Sequence, residues 1–600
     1  MPKNLPLHPV FLIAVFLIAS AAILHLDSRH HPDETFYSEA ALIMERSGDY
    51  ITPRYASGDL RFQKPVLAYW TVIAGHKLLG IHYFSTRLGF LLASGLVLVM
   101  TYQIGMVIAA RRDVACLGVA MLMCNLDFMN TSIRSTADAL QLGFIALALY
   151  GLARLALSER AHAGDAACWY LGLGLAVATK GFLAVLLLVY GSIVWPLLRR
   201  RLETPATRLP GGRWHVVAAI GGLAVALGWY IAVYVRWGQT ALDVFFGDQV
   251  GNRLDGLADH ILDNIITYPT GPFVYFMPFT AAILIASWGN MKALKEALHR
   301  RRWACWLTLP WLGLLIAIFM FGNISRSRYL IIAYPLLAPL LADILLRLAT
   351  RAHHGGSRLQ WWTSWPVLAP VLPGLAFILI GLRAPDTLRS GLIVGGLLLS
   401  ALGIGAYLWN RRLELPGRLV VVGVLILVAY RGYDLTIGRT LNPSPVPGIA
   451  DLLAASVPAD ADLLMFVERR HAPGVHKTLP ARLRIVSGDR YDARREWSID
   501  PLPASAATDL PGEQPNDPAA PTFSAEELNT MWTAIGHADA ILLATEYADG
   551  LVPPGYTCQP AGVYYLGWKP KHLLRLATSP DPDAYLATRR TPYTLATRNQ

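Results

Sequence analysis

Two short stretches concentrate side chains able to do chemistry. In "RHHPDETFYSEAALIMERSGDY", Asp33 and Glu34 stand side by side, and thirty residues on Lys64 sits in "RFQKPVLAYW". A carboxylate can take a proton or steady a developing positive charge, and a lysine can hold an anion such as phosphate. Further candidates are scattered: Tyr37 in the same stretch, Asp138 in "STADALQ", Lys180 in "ATKGF", His260 in "NRLDGLADHILDN", and Arg326, Arg328 and Tyr329 in "NISRSRYLIIAYP". Arginines suit phosphate oxygens because they bind them bidentately, and a histidine can ligate a metal. Each also has a plainer reading. Asp33 would cap a helix that starts at a proline, Glu34 would complement the helix dipole, and Lys64 would snorkel to lipid headgroups. Asp138 could equally be an N-cap, Lys180 half of a structural ion pair, the arginines an interfacial flank, and His260 a solvated or packed ring.

The elements that must position these residues are legible from spacing. Phe36, Ala40 and Met44, with Tyr37 and Ala41, repeat at helical intervals until Gly48 stops the helix. A second amphipathic run, "KPVLAYWTVIAGHKLLG", starts at Lys64 and Pro65 and carries Tyr69 and Trp70. Helices with such aromatic and basic edges lie along a membrane surface.

A membrane is required by composition. With 600 residues, 54% of them hydrophobic, the chain is too apolar for a soluble protein of this length. About thirteen spans are expected, near 8–26, 84–108, 114–131, 138–157, 168–179, 181–198, 214–235, 272–288, 304–321, 330–346, 361–380, 391–409 and 419–437. The fifth is short and abuts the sixth at "TKG". Lysines and arginines gather in alternate loops, from Arg111 and Arg112 through Arg199–Arg201 and Arg300–Arg302 to Arg411, Arg412 and Arg418. By the positive-inside rule those loops are cytoplasmic, which puts the N-terminus inside and residues 27–83 and everything beyond about 438 outside. The net charge of +11 follows from this orientation, so nucleic acid is not needed as a partner. The first apolar run is long and lacks a convincing cleavage site, so it reads as a retained span. Of five cysteines, four lie in or at the ends of spans, and they suggest neither disulfides nor a thiolate metal site.

After the linker "NPSPVP" the pattern changes. Strands are expected at 461–468, 481–488, 539–547 and 562–568, a helix with a capping box from Ser524 to Glu527, and a flexible loop at 501–522. This is a small outward-facing α/β domain, covering 441–600 behind a membrane domain covering 1–440.

The motifs "DETFYSEAALIMERSGDYITPRY" and "QKPVLAYW", supported by "TRLGFLLASGL", "STADALQLGF", "ATKGFLAVLL" and "SRYLIIAYPLLAPLLA", resemble the bacterial membrane glycosyltransferases of GT-C type. These include the aminoarabinose transferases of lipid A and, more remotely, the protein O-mannosyltransferases. The resemblance implies an all-α polytopic membrane domain of about thirteen helices with juxtamembrane helices, plus a small C-terminal periplasmic α/β domain. It implies an inverting transfer of a sugar from a polyprenyl-phosphate donor to lipid A, lipopolysaccharide or another cell-envelope acceptor, at the periplasmic face of the bacterial inner membrane. Asp33, with Glu34, matches the family's acidic first-loop position and would act as base or organise the nucleophile. Lys64 matches the family's K-P lysine and would hold the donor phosphate. His260 falls in the loop that often supplies a metal ligand. A divalent metal is the one cofactor the resemblance raises, and Gln63, where the family usually has Glu, is a poor ligand for it. Phe36 also departs from the aminoarabinose transferases, which have a basic residue there, so the sugar or acceptor is expected to differ. A polyprenyl-linked lipid transporter is the alternative, although a carrier should place its polar residues near the bilayer midplane.

Overall fold

The computed structural model describes residues 7–26, 31–55, 60–201, 211–246, 261–288, 291–321, 327–351 and 366–442. In the C-terminal part it describes 451–452, 455–457, 462–467, 482–487, 496–498, 539–544, 552, 555–565, 570–587 and 590–599. His260, Arg326, the Ser524 helix and the 501–522 loop lie outside the described residues.

The membrane part is all-helical: α1 (Pro9–Ala21), α2 (Pro32–Ser47), α3 (Leu67–Leu79), α4 (Tyr83–Ala109), α5 (Arg112–Met123), α6 (Leu126–Ser132) and α7 (Ala137–Leu157) lead off. They are followed by α8 (Ala163–Val177), α9 (Phe182–Arg201), α10 (Gly212–Trp237), α11 (Gln239–Phe246), α12 (Ile261–Tyr275), α13 (Phe279–Ser287), α14 (Met291–Arg300) and α15 (Arg302–Met320). A 3₁₀ turn, Ser327–Ala333, then leads into α16 (Tyr334–Arg351), α17 (Val371–Arg383), α18 (Asp386–Asn410) and α19 (Leu415–Tyr433).

Among the described residues eight helices are long and apolar enough to cross a bilayer, and two bent pairs, α5 with α6 (70°) and α12 with α13 (85°), raise the number to ten. The thirteen expected from sequence are not reached on length alone. The helices α1, α8 and α17 are apolar but have only 13, 15 and 13 residues, short of the ~20 that normally span. The junction at "TKG" is a true break: α8 ends, Gly181 takes a left-handed φ of 80°, and α9 starts anew.

Between α1 and α4 the chain folds back on the bundle. The helix α2 stops at Gly48, whose φ of 69° is the left-handed conformation that ends helices. Its face of Tyr37, Ala40, Ala41 and Met44 is buried against Phe62, Val66, Tyr69 and Val72. So the two juxtamembrane helices share a core and do not merely float on a surface. The helix α3 starts at Leu67, later than the expected Lys64, which leaves Lys64 and Pro65 in the preceding turn.

The C-terminal part is one six-stranded sheet of order β3-β2-β1-β4-β6-β5, made from β1 (Asp462–Val467), β2 (Arg482–Ser487), β3 (Glu496–Ser498), β4 (Ala540–Ala544), β5 (Tyr556–Tyr565) and β6 (Arg590–Arg598). The central strand β1 pairs in parallel with β2 and β4, and the outer pairings are antiparallel. Helices α20 (Pro570–Thr578) and α21 (Pro582–Ala587) bury Leu576 and Leu586 with Ala384, Leu388 and Leu392 at the start of α18. That contact anchors the sheet domain on the helices.

Candidate active site

The acid pair lies at the start of α2, and the two acids have different surroundings. The N-cap is His31 and not Asp33: its Nδ1 accepts the Asp33 N–H at 3.2 Å, while the Glu34 carboxylate accepts the His31 N–H at 3.0 Å. Glu34 is fully buried. Arg87 of α4 donates to it at 2.8 Å and 3.4 Å, and the Ser135 hydroxyl donates at 3.1 Å. Arg87 also donates to the carbonyls of Leu24 and Leu26 at the end of the first span. Glu34 therefore fastens α2 to α1, α4 and the turn before α7. Asp33, one residue earlier, points elsewhere: it is 35% exposed, and Arg328 Nη2 donates to its Oδ2 at 3.0 Å. It is a reachable carboxylate held in place.

A second acid, Asp138 in the first turn of α7, pairs with Lys180 from the α8–α9 junction. The N-cap there is Thr136, so the ion-pair reading holds and the capping one does not. Lys180 also lies over the ring of Tyr329, 5.1 Å from its centroid, and Tyr329 stacks on Phe319 of α15. Asp138 stands in the field of Lys180, then Arg328, then Lys64. The structure thus gathers Asp33, Lys64, Asp138, Lys180, Arg328 and Tyr329 around the start of α2 and α7. Tyr37 joins them: its phenol lies in the field of both Asp138 and Asp33, and burial, then Tyr69, pushes its pKa up. It is a hydroxyl donor at any working pH.

Sequence reading missed three members. His31 was only part of a quoted motif, and its ring is the cap; burial and then the charge of Arg134 hold its pKa down to about 4. Arg134, in the turn between α6 and α7, is half-buried and acts on Glu34, Arg328 and Asp33; burial lowers its pKa. Arg61 is buried with its guanidinium 4.6 Å from the Phe36 ring centroid and 4.8 Å from that of Tyr55, and its Nε donates to the Tyr69 hydroxyl at 2.9 Å. Phe36, the departure from the family pattern, is one wall of this aromatic box. An arginine in an otherwise polar loop gives no sequence signal of burial; only its nearness to "STADA" hinted at Arg134.

Among the described residues no group of three or more His, Cys, Asp and Glu side chains could hold a metal ion. The donor set also suits one poorly, since each carboxylate of the site is engaged by an arginine or lysine of the chain.

The model of the dolichyl-phosphate-mannose-protein mannosyltransferase family matches residues 9–240, the part that contains the acid pair, Lys64, Asp138 and Lys180. The undecaprenyl phosphate-alpha-4-amino-4-deoxy-L-arabinose arabinosyl transferase of Pseudomonas aeruginosa (strain LESB58) is 28% identical over 335 residues, 54% of this chain and 57% of that one. Its counterpart from Pectobacterium atrosepticum is 25% identical over 389 residues, 62% of this chain and 65% of that one. The chain thus spans less than two thirds of these curated relatives. Over its whole length it shares the fold of ArnT from Cupriavidus metallidurans: the apo crystal structure superposes with a TM-score of 0.62 at 17% identity, covering 98% of this chain and 97% of that one. The same protein bound to undecaprenyl phosphate gives 0.59. In sequence this chain is thus similar to the aminoarabinose transferases and, over residues 9–240, to the dolichyl-phosphate-mannose-protein mannosyltransferases, and it has the fold of ArnT.

Proposed function

We propose that this chain is an inverting glycosyltransferase, moving a pentose or hexose from a polyprenyl-phosphate donor to lipid A, lipopolysaccharide or another envelope acceptor. One observation carries the reading: Asp33, reachable and oriented by Arg328, stands among more cations than carboxylates at one end of the bundle. Breaking the bond between the sugar and the phosphate leaves positive charge on the sugar and negative charge on the leaving oxygen. Asp33 steadies the first, or takes the proton of a neutral acceptor hydroxyl, a role worth ~10²–10⁴-fold. Lys64, Arg328 and Tyr329, with Arg326, take the leaving phosphate. Glu34 positions Asp33 by fixing α2, and Asp138 and Lys180 hold each other and the Tyr329 ring.

In this reading α1, α8 and α17 also cross the bilayer, which together with the ten longer units makes thirteen. The N-terminus is then cytoplasmic, the 27–83 loop catalytic and periplasmic, and the 441–600 domain periplasmic behind a 1–440 membrane domain. A metal held by His260 is not part of the mechanism, because Gln63 and the engaged carboxylates offer it little.

The test is to incubate the purified protein in lipid with polyprenyl-phosphate sugars and extracted envelope lipids, beside Asp33→Asn, and follow the sugar by mass spectrometry. Transfer that vanishes in the variant is the expected result. Lipid crossing the bilayer with no donor consumed would replace the transferase with a transporter.

A further inference from the structure

The sheet domain meets the helical bundle at a level that helix geometry fixes. Helix α20 packs on α17, and its Leu573 and Leu576 join one apolar cluster with Phe377 and Ile380 of α17 and Leu388 and Leu392 of α18. The 25 residues of α18 make it ~37 Å long against ~30 Å of bilayer hydrocarbon, so a centred helix stands clear by only ~4 Å at each end. Leu392 lies ~9 Å along α18 from Asp386, and Phe377 lies ~9 Å back along α17 from Arg383. The cluster therefore extends below the hydrocarbon edge. Helix α20, packed on it, rests at that edge and not in the water above.

The remaining sides of α20 fit such a level. At ~100° per residue, Leu574 is one step round from the packed Leu573, and Arg575 is one step further. Leu574 is 65% exposed, and Arg575 is exposed beside it. An isolated exposed leucine on a protein in water needs no explanation. This one has a setting, because Leu379 and Leu382, in the last two turns of α17, are 66% and 61% exposed on the helix that α20 packs against. Water over these leucines would be unfavourable, whereas acyl chains cover them freely. The exposed guanidiniums of Arg575 and of Arg383, at the end of α17, suit the headgroup phosphates just above.

We infer that α20 is an interfacial helix: Leu574 enters the acyl region of the leaflet on this side, and Arg575 binds the phosphate of a lipid headgroup. The partner is the bilayer that the bundle spans. Anionic phospholipid is favoured, since α20, "PKHLLRLAT", carries lysine and arginine and no acid. The sheet domain is then held at a fixed height by lipid as well as by the bundle. None of this depends on which reaction the chain catalyses.

The test uses the full chain in nanodiscs. One nitroxide is placed at Leu574→Cys in a Cys558→Ser background and another on the exposed Cys558 of β5 in the unaltered chain, the signal of Cys558→Ser alone being subtracted from both. Collisions with dissolved oxygen and with a water-soluble nickel chelate give the depth of each label. The label at 574 should lie ~5–10 Å below the headgroup surface, and the one at 558 should read water. Adding Arg575→Glu should move the 574 label toward water in phosphatidylglycerol, and less in phosphatidylcholine. A second measurement leaves the sequence intact: wild type in lipid with a diazirine beside the headgroup should give lipid adducts on the 570–578 peptide by mass spectrometry. A 574 label as open to nickel as the one at 558, no adduct on 570–578, or an Arg575→Glu label as deep as its parent in phosphatidylglycerol overturns the inference.

Discussion

Two arginine–aspartate clusters lie along one segment of this chain. Arg328 reaches Asp33 from the 3₁₀ turn before α16, and roughly 25 Å further along Asp343 of the same helix is clamped by Arg301 and Arg347. The far cluster is closed: Asp343 is 0% exposed and receives Arg301 at 2.8 Å and 3.4 Å, with Arg347 one turn on. It joins α16 to the start of α15 and fixes the bundle. The near cluster is open: Asp33 is 35% exposed and Arg328, which donates to it at 3.0 Å, is only half-buried. The same residue types serve as a rivet in one place and as a site in the other. What separates them is whether the carboxylate can be reached, 35% exposed at Asp33 and 0% at Asp343.

The largest effects should come from the open cluster. Asp33→Asn keeps the shape and removes the charge, and sugar transfer at saturating substrates should fall at least ~100-fold with the melting temperature nearly unchanged. Lys64→Ala should lower transfer comparably. Retained activity in either variant, read by mass spectrometry, would move the site elsewhere.

The closed cluster should respond the other way. Asp343→Asn leaves two arginines facing an uncharged amide, and the fold should lose ~3 kcal/mol, seen as a lower melting temperature in detergent, while transfer per folded molecule holds. Glu34→Gln sharpens the contrast, since it lies beside Asp33 in sequence but is built like Asp343. We expect it to strip Arg87 of its counter-charge and cost stability first. If Glu34→Gln instead lost transfer with its melting temperature intact, Glu34 would belong to the chemistry.

That adjacent acids divide in this way was beyond the sequence. The eight long apolar helices, the two juxtamembrane helices and Gly48 were legible, because burial against lipid or against a neighbour imposes a period that composition reveals, whereas the count of thirteen spans went beyond the eight to ten found among the described residues. The strands β1, β2 and β4 were legible for the same reason, whereas β6 and the short β3 were missed, β6 carrying "RTPYTLATR" with arginines and a proline in its run. Asp33 and Lys64 stood out by motif. The roles of Glu34, Arg87, Arg61 and Arg134 depend on neighbours distant in the chain, such as Ser135 with Glu34, 101 residues apart. No local pattern marks a guanidinium as buried.

The smallest effect concerns pH. His31 caps α2 through an unprotonated Nδ1, and its pKa is held at about 4 against an ordinary 6.5, first by burial and then by Arg134. Between those values the unfolded chain takes the proton and the folded one does not, so the ring's contribution to stability is complete above about 6.5 and is lost progressively as pH falls toward 4. Melting temperature should therefore slope downward through that window. His31→Asn keeps a capping side chain and removes the titration, so its melting temperature should be close to wild type at pH 7.5 and flatter below 6.5. The closed cluster has no such group against Asp343 among the described residues, so Asp343→Asn should lower the curve while leaving the slope in this window in place. A wild-type slope that survives in His31→Asn would assign the proton to another group and remove the link between the cap and the open cluster.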